Sequence, residues 1–220
     1  MWLSIFITLT VYRINRVKKI IFMNDESILV IGNGESILKK RLQTKIDSFD
    51  KVLRINNYII NDFELFVGTK TDIWFNGANS KLVSPRIIPK QVIVAPPSEI
   101  IIKHQENLKH YIARRVGQDY NNLTLLTLEE IRRYETEVGS NRLTTGLYAI
   151  KWALNNFEKV YIHGFDFFIN SKAHYYDSKL MNFVNNKILN KGHKHNNVYE
   201  RDYVEKLITD KEIILLNDKE

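Results

Sequence analysis

Residues 28–56, ILVIGNGESILKKRLQTKIDSFDKVLRIN, constrain the fold more than any other stretch of this chain. They hold a short β-branched run, a glycine-flanked asparagine, a helical segment and a second apolar run. The apolar run at 28–31, stopped by Gly32, predicts a strand buried on both faces. Gly32, Asn33 and Gly34 then make the turn at its carboxyl end. Glycines there let backbone come close to a ligand. Ser36 would cap a helix from about Ile37, whose free N–H groups favour an anion. The run is neither a dinucleotide fingerprint nor a Walker loop, because Gly34 is followed by Glu35-Ser36-Ile37 and no Gly-Lys-Ser/Thr occurs. An ordinary strand-to-helix turn explains the same glycines. A second strand at 51–55 ends in Arg54, Asn56 and Asn57, which brings hydrogen-bond donors to the carboxyl edge of an open parallel sheet, where ligands bind.

Four pieces recur in order: V-I-G-N-G at 30–34, I-D-S-F-D at 46–50, V-L-R-I-N at 52–56 and V-G-T-K-T-D at 67–72. In this order and spacing they resemble the long motif of glycosyltransferase family 29, the sialyltransferases. A second resemblance lies in residues 141–168, NRLTTGLYAIKWALNNFEKVYIHGFDFF. Thr144-Thr145-Gly146 precedes a helix with apolar positions at Leu147, Ile150, Ala153, Leu154 and Phe157. A strand at 160–162 then ends at Gly164. Two hydroxyls, a glycine and a helix N-terminus make a small anion-binding corner, although an N-cap alone would look the same. The segment is similar to the family's short motif, from T-T-G to G-F-D. By that resemblance Thr144 and Thr145 touch the donor's sugar carboxylate and nucleotide, and Gly164 and Asp166 belong to the site.

The chain has 220 residues, enough for one α/β domain with a substantial core, and its 44% apolar composition is that of a soluble protein. A formal charge of +7 suits an anionic partner without choosing among nucleic acid, a membrane surface and an anionic nucleotide or glycan. The resemblance chooses a nucleotide sugar and a glycan, with no nucleic acid. There is no cysteine, so a reducing compartment fits. Animal Golgi members of the family carry a disulfide between the two motifs. The matching places here are Ile28 and Phe157, which can fill that volume with apolar packing.

Residues 1–12 are apolar and are followed by Arg13, Arg16, Lys18 and Lys19. A dozen residues is short of the roughly 20 needed to span a bilayer. With no charged region ahead and no cleavage site after, the segment is not a secretory signal. Residues 1–23 read as a peripheral anchor that holds a catalytic domain at 24–220 on the cytoplasmic face. A docked helix, or a natural start at Met23, explains them as well.

Further strands are expected at 72–76, ending in Asn76-Gly77, and at 91–95, stopped by Pro96-Pro97. Ser98 is expected to cap a helix to about Arg115, whose basic end suits a helix C-terminus. Thr127 and Glu130 have capping-box spacing for a helix through Val138, ended by Gly139.

His174-Tyr175-Tyr176 lies in a polar, aperiodic stretch at 169–197 that reads as a loop. His195 and Glu200 precede helical periodicity through Val204, Leu207 and Ile208, and Asn197 and Glu200 have capping spacing. A histidine just ahead of a helix N-terminus is kept neutral and can accept a proton. The pair resembles the family's last motifs, so His195 is carried over as the general base, with His174 and Tyr175 as site residues. Gly192-His193 mimics a pair found in another bacterial sialyltransferase family, which makes His193 a rival base. Solvated loop histidines are the ordinary alternative for each. A zinc site at His193 and His195 is disfavoured by the absence of cysteine and of an evident third ligand.

The expectation is a single-domain three-layer α/β sandwich with a mostly parallel central sheet, similar to a modified GT-A fold. The implied activity is inverting transfer of sialic acid from CMP-sialic acid to a hydroxyl of a lipopolysaccharide, capsule or glycolipid acceptor. The donor set is Gly32, Asn33, Gly34, Arg54, Asn56, Asn76, Thr144, Thr145, Gly146, Gly164, Asp166 and Tyr175. No cofactor and no metal are expected, since no Asp-x-Asp occurs and a monophosphate donor needs no divalent clamp. Alternatives are a different acidic sugar or nucleotide, or a catalytically silent nucleotide- or glycan-binding protein at a membrane.

Overall fold

Seven strands form one sheet in the computed structural model, which describes residues 24–166, residue 175 and residues 197–217. They are β1 (Asn24–Ile31), β2 (Lys51–Ile55), β3 (Ile73–Asn76), β4 (Gln91–Val94), β5 (Leu123–Leu125), β6 (Phe157–His163) and β7 (Ile214–Leu215). Their spatial order is β5-β4-β3-β2-β1-β6-β7, and each of the six pairings is parallel. The chain therefore winds outward from β1 to β5, then returns to the other side of β1 for β6 and β7. The order reverses between β1 and β6, the kind of crevice in which open α/β sheets hold ligands.

Strand β1 is central because both of its faces are apolar. Ile28 and Val30 look into one cluster, Leu29 and Ile31 into another, and all four are buried. Helices cover both faces. On one lie α5 (Leu128–Val138), α6 (Thr145–Asn156) and α7 (Asn197–Thr209), which supply Ile131, Leu147, Ile150, Val204 and Leu207. On the other lie a five-residue 3-10 turn (Glu35–Lys39), α1 (Gln43–Asp47) and α2 (Glu64–Val67). The same face continues under α4 (Leu108–Val116), which sets Ile112, Ala113 and Val116 against Trp74, Val92 and Val94. The result is the three-layer sandwich expected. Ile28 and Phe157 are both buried in the same apolar cluster, as expected of positions holding no sulfur.

The expected helix from Ser98 to about Arg115 is two helices, α3 (Ser98–His104) and α4, joined by a 3-10 turn at Gln105–Asn107. The break lies at Gln105, whose φ of 40 is left-handed. It turns the chain after α3, so that α4 lies on the sheet with Ile112, Ala113 and Val116 in the Trp74 cluster. Pro97, not Ser98, is the N-cap residue of α3, and no side chain caps it. The capping box at Thr127 and Glu130 is present, and Gly139 closes α5 in the left-handed conformation at φ 76. Strands β5 and β7 were not expected.

The acidic residues of the first motif series brace this scaffold. Asp47 accepts from Thr69 N (2.7 Å), Lys70 N (2.9 Å) and the Thr69 hydroxyl (2.9 Å). Asp72 accepts from Val52 N at 2.8 Å, and Asp50 from Ser27 N and its hydroxyl at 2.8 and 2.6 Å.

Candidate active site

Two corners meet at the carboxyl edge of the sheet. The first is the switch point itself. Gly32 N donates to His163 O and Gly34 N to Gly164 O, each at 2.8 Å, so the turns after β1 and β6 lie backbone against backbone. A Cβ on Gly32 would sit 2.3 Å from the Gly164 carbonyl oxygen, and Gly164 itself needs φ 71. A Cβ on Gly34 would sit 2.4 Å from the Asp166 Cγ. The glycines thus admit the Gly164-Phe165-Asp166 turn. Ser36 does not cap a helix there. Its N–H donates to Asp166 Oδ2 at 3.0 Å, so a carboxylate of this chain takes the place expected for an anion. Asn33 turns its amide across the edge, donating to Ile55 O (2.9 Å) and Asn57 O (3.0 Å).

The second corner opens onto a cleft of about 1020 Å³, lined by Asn56, Gly77, Thr144, Thr145 and Tyr148 and by Arg115, Arg132 and Arg142. Asn56 adopts left-handed φ 51, which asparagine tolerates, and its Oδ1 accepts from Gly77 N at 3.1 Å. A Cβ on Gly77 would meet the Thr145 hydroxyl at 2.7 Å. Thr144 is the N-cap of α6, its hydroxyl accepting from Leu147 N at 3.3 Å. Gly146 faces Phe165, which a Cβ would approach to 3.1 Å, so the T-T-G corner touches the G-F-D corner.

Glu200 joins a third segment to the second. It is fully buried on α7 and accepts from Thr144 N at 2.7 Å and from the Thr144 hydroxyl at 2.5 Å. Burial holds its carboxyl above the ordinary carboxylate range, and the two bonds from Thr144 work against that shift. Each of its two oxygens thus takes one bond from Thr144. The sequence signal is that Glu200 shares the helical stripe of Val204 and Leu207, an apolar face on which a carboxylate needs a partner.

Several expected donor ligands are occupied elsewhere. Arg54 is turned away from the edge, since its neighbours Leu53 and Ile55 look into the α6 side and the side chain alternates to the other face. It is 1% exposed, and its guanidinium donates to Val67 O (2.6 Å), Gly68 O (3.1 Å), Lys70 O (3.1 Å) and the Thr71 hydroxyl (2.8 Å). It closes the α2–β3 loop and does not face the cleft. The Tyr175 hydroxyl exchanges hydrogen bonds with the Ile59 backbone, its ring packs edge-on against Phe63, and its N–H donates to Asn33 O at 3.0 Å. Tyr175 therefore braces the switch-point turn, with its phenol on the Ile59 backbone. Asn76 is buried beneath the cleft, with Oδ1 accepting from Ala78 N at 3.1 Å. His174, His193 and His195, and the expected anchor at 1–23, lie outside the described residues.

One histidine was missed. His163 ends β6 and is 7% exposed, with no partner for Nε2 among the described residues. Burial, aided by the positive charge of Lys40, holds it neutral with a pKa lowered to about 4, while Asp166 pulls the other way. A polar residue inside the last buried strand before Gly164 is its only mark in the sequence.

A family model described as glycosyltransferase family 29 (sialyltransferase) matches residues 24–212. No curated protein matches the sequence. Among solved structures, a mammalian sialyltransferase is 18% identical with a TM-score of 0.66, the match covering 87% of this chain and 68% of that one. A mammalian sialyltransferase in complex with Gal-beta-1-3GalNAc-ortho-nitrophenol gives 18% and 0.61, covering 87% and 69%. The sialyltransferase CstII from Campylobacter jejuni, in complex with the substrate analogue CMP-3FNeuAc, is 17% identical with a TM-score of 0.54, covering 86% and 80%. At such identities these likenesses establish a shared GT-A-like α/β fold, and the family model carries the assignment. With its motif segments gathered at one sheet edge and the family match running through nearly all the described residues, the chain belongs to glycosyltransferase family 29, the sialyltransferases.

Proposed function

We propose that this enzyme moves sialic acid from CMP-sialic acid to a hydroxyl of a glycan acceptor of the lipopolysaccharide, capsule or glycolipid type, by one displacement that inverts the anomeric carbon. The observation that carries this reading is the meeting of Asn56, Gly77, Thr144 and Thr145 around one cleft in a family-29 chain. The first-turn N–H groups of α6, at Thr145 and Gly146, favour the anionic groups of the donor. Departure of CMP leaves an oxocarbenium-like carbon, and the charge growing on the phosphate needs fixed donors, not a nucleophile. The acceptor proton needs a base. His195 takes that role in this reading, because it precedes α7 in sequence and a helix N-terminus disfavours imidazolium. The Glu200 tie to Thr144 supports it by fastening the first turn of α7 to the cleft. His174 is the further candidate for stabilising the leaving phosphate. No divalent ion is assigned a role.

His195→Ala should leave CMP binding within about threefold and lower transfer by 10² or more, as general-base removal does. Transfer at the parental rate would show that another group takes the proton. Transfer should also survive a chelator; activity lost and restored by added metal would refute the metal-free mechanism.

A further inference from the structure

The crossover from β3 to β4, residues 77–90, contains no helix and carries an apolar tip turned to solvent. Val83 is 68% exposed, Ile87 84% and Ile88 48%. The loop is not slack. Asn57 Nδ2 donates to Lys81 O (3.0 Å), Val83 N donates to Asn57 Oδ1 (2.9 Å), and Gln118 Nε2 donates to the Ser84 hydroxyl (2.6 Å). Leu82 packs into the cluster of Trp74 and Ile112, and Pro89 is buried. Both flanks are thus fastened while the isoleucines between them point outward. Lys81, Arg86 and Lys90 are exposed around the tip, have no acidic partner among the described residues, and residues 77–90 contain no Asp or Glu.

We propose that this loop docks the enzyme on an anionic lipid surface, with Ile87 and Ile88 entering the boundary between headgroups and acyl chains and the three cations meeting lipid phosphates. Braced apolar side chains ringed by unpaired cations match that surface in both polarity and charge. Each cation contributes about a fivefold factor to partitioning near such a surface, and the isoleucines add an apolar component that salt does not screen. Pro85 and Pro89 flank the tip and remove backbone donors, so it is poorly suited to adding a strand to a protein partner. The loop leaves the sheet after Asn76, and its first residues, Gly77 to Ser80, line the cleft, so docking would bring the cleft close to a lipid-borne acceptor. The docking itself does not depend on which donor or acceptor the enzyme uses.

The chain has no cysteine, so Ile87→Cys can be labelled uniquely with an environment-sensitive fluorophore in the full chain, with Glu158→Cys at the start of β6 as control. With phosphatidylglycerol-containing vesicles, the label at 87 should shift to the blue and be quenched by spin-labelled lipid, while the label at 158 does neither. The double change Ile87→Asp, Ile88→Asp should weaken co-sedimentation at least tenfold without altering the circular dichroism or melting temperature. Replacing Lys81, Arg86 and Lys90 with Gln should reduce both binding and its salt dependence. A label at 87 that stays in water while the protein is bound would show that residues 1–22 or another surface carry the contact, and would overturn the proposal. So would absence of vesicle binding. A vesicle-independent blue shift that grows with protein concentration would assign the tip to a second copy of the chain instead.

Discussion

The bond between Thr144 and Glu200 can be tested by a double-mutant cycle. Thr144→Val removes the hydroxyl donor but keeps the backbone N–H, and Glu200→Ala removes the acceptor of both. A hydrogen bond to a charged group contributes about 1.5–3 kcal/mol, so the coupling between hydroxyl and carboxylate should fall in that range. Glu200→Ala alone should cost about 3–5 kcal/mol, because two donors lose their acceptor and a fully buried side chain leaves a void. Glu200→Gln should cost only about 1 kcal/mol, since its amide oxygen still accepts from Thr144 N. Urea unfolding of the four proteins near pH 7 gives the coupling, and CMP calorimetry on the folded variants shows whether the cleft has shifted. Because the folded carboxyl lies above its ordinary 4.5, its contribution is complete below that value and is lost as pH rises through the raised pKa. The gap between the parent and Glu200→Gln should narrow over that interval. Coupling below about 0.5 kcal/mol would mean that Glu200 merely fills space, and the fastening of α7 to the cleft would lose its support.

Other consequences are simpler to state. His163 is held neutral, so its contribution is complete above 6.5 and is lost as pH falls through about 4; the parent should forfeit on the order of 2–3 kcal/mol by about pH 4.5, and His163→Gln should flatten that slope in urea titrations at stepped pH. Gly32→Ala forces a Cβ against the Gly164 carbonyl and should cost about 3 kcal/mol or more, whereas Gly34→Ala meets a carboxylate that can move and should cost about 1 kcal/mol while weakening CMP binding; equal losses would refute the difference in packing. Arg54→Met should lower stability by roughly 3 kcal/mol and leave the CMP affinity of the folded protein unchanged, and the reverse pattern would restore Arg54 to the donor site.

Much of the sheet can be read from residue order because β1, β2, β3, β4 and β6 are apolar runs stopped by glycine, proline or asparagine. Strand β5 escapes that reading, with only three residues and an exposed Thr124, and β7 has two. Their pairing comes from tertiary contact and not from a local pattern. The T-T-G corner is visible locally because an N-cap is a local device. What occupies the glycine turn is not visible, since Asp166 reaches Ser36 from the far motif. Arg54 misleads for a related reason: its place at a strand end is local, but the face it selects depends on the register with β1 and β3. Glu200 shows the converse case, a charge on an apolar stripe whose partner only the fold reveals.

The central position of β1 also bears on biosynthesis. One of its edges can pair with β2 as soon as residues 51–55 leave the ribosome, but the other waits for residues 157–163. From the emergence of β2 to that of β6 the nascent chain therefore presents an open strand edge that is apolar from Ile28 to Ile31, a template for intermolecular strand addition. Variants that slow arrival of the distal third, or stop codons placed before it, should yield inclusion bodies rather than a smaller folded domain.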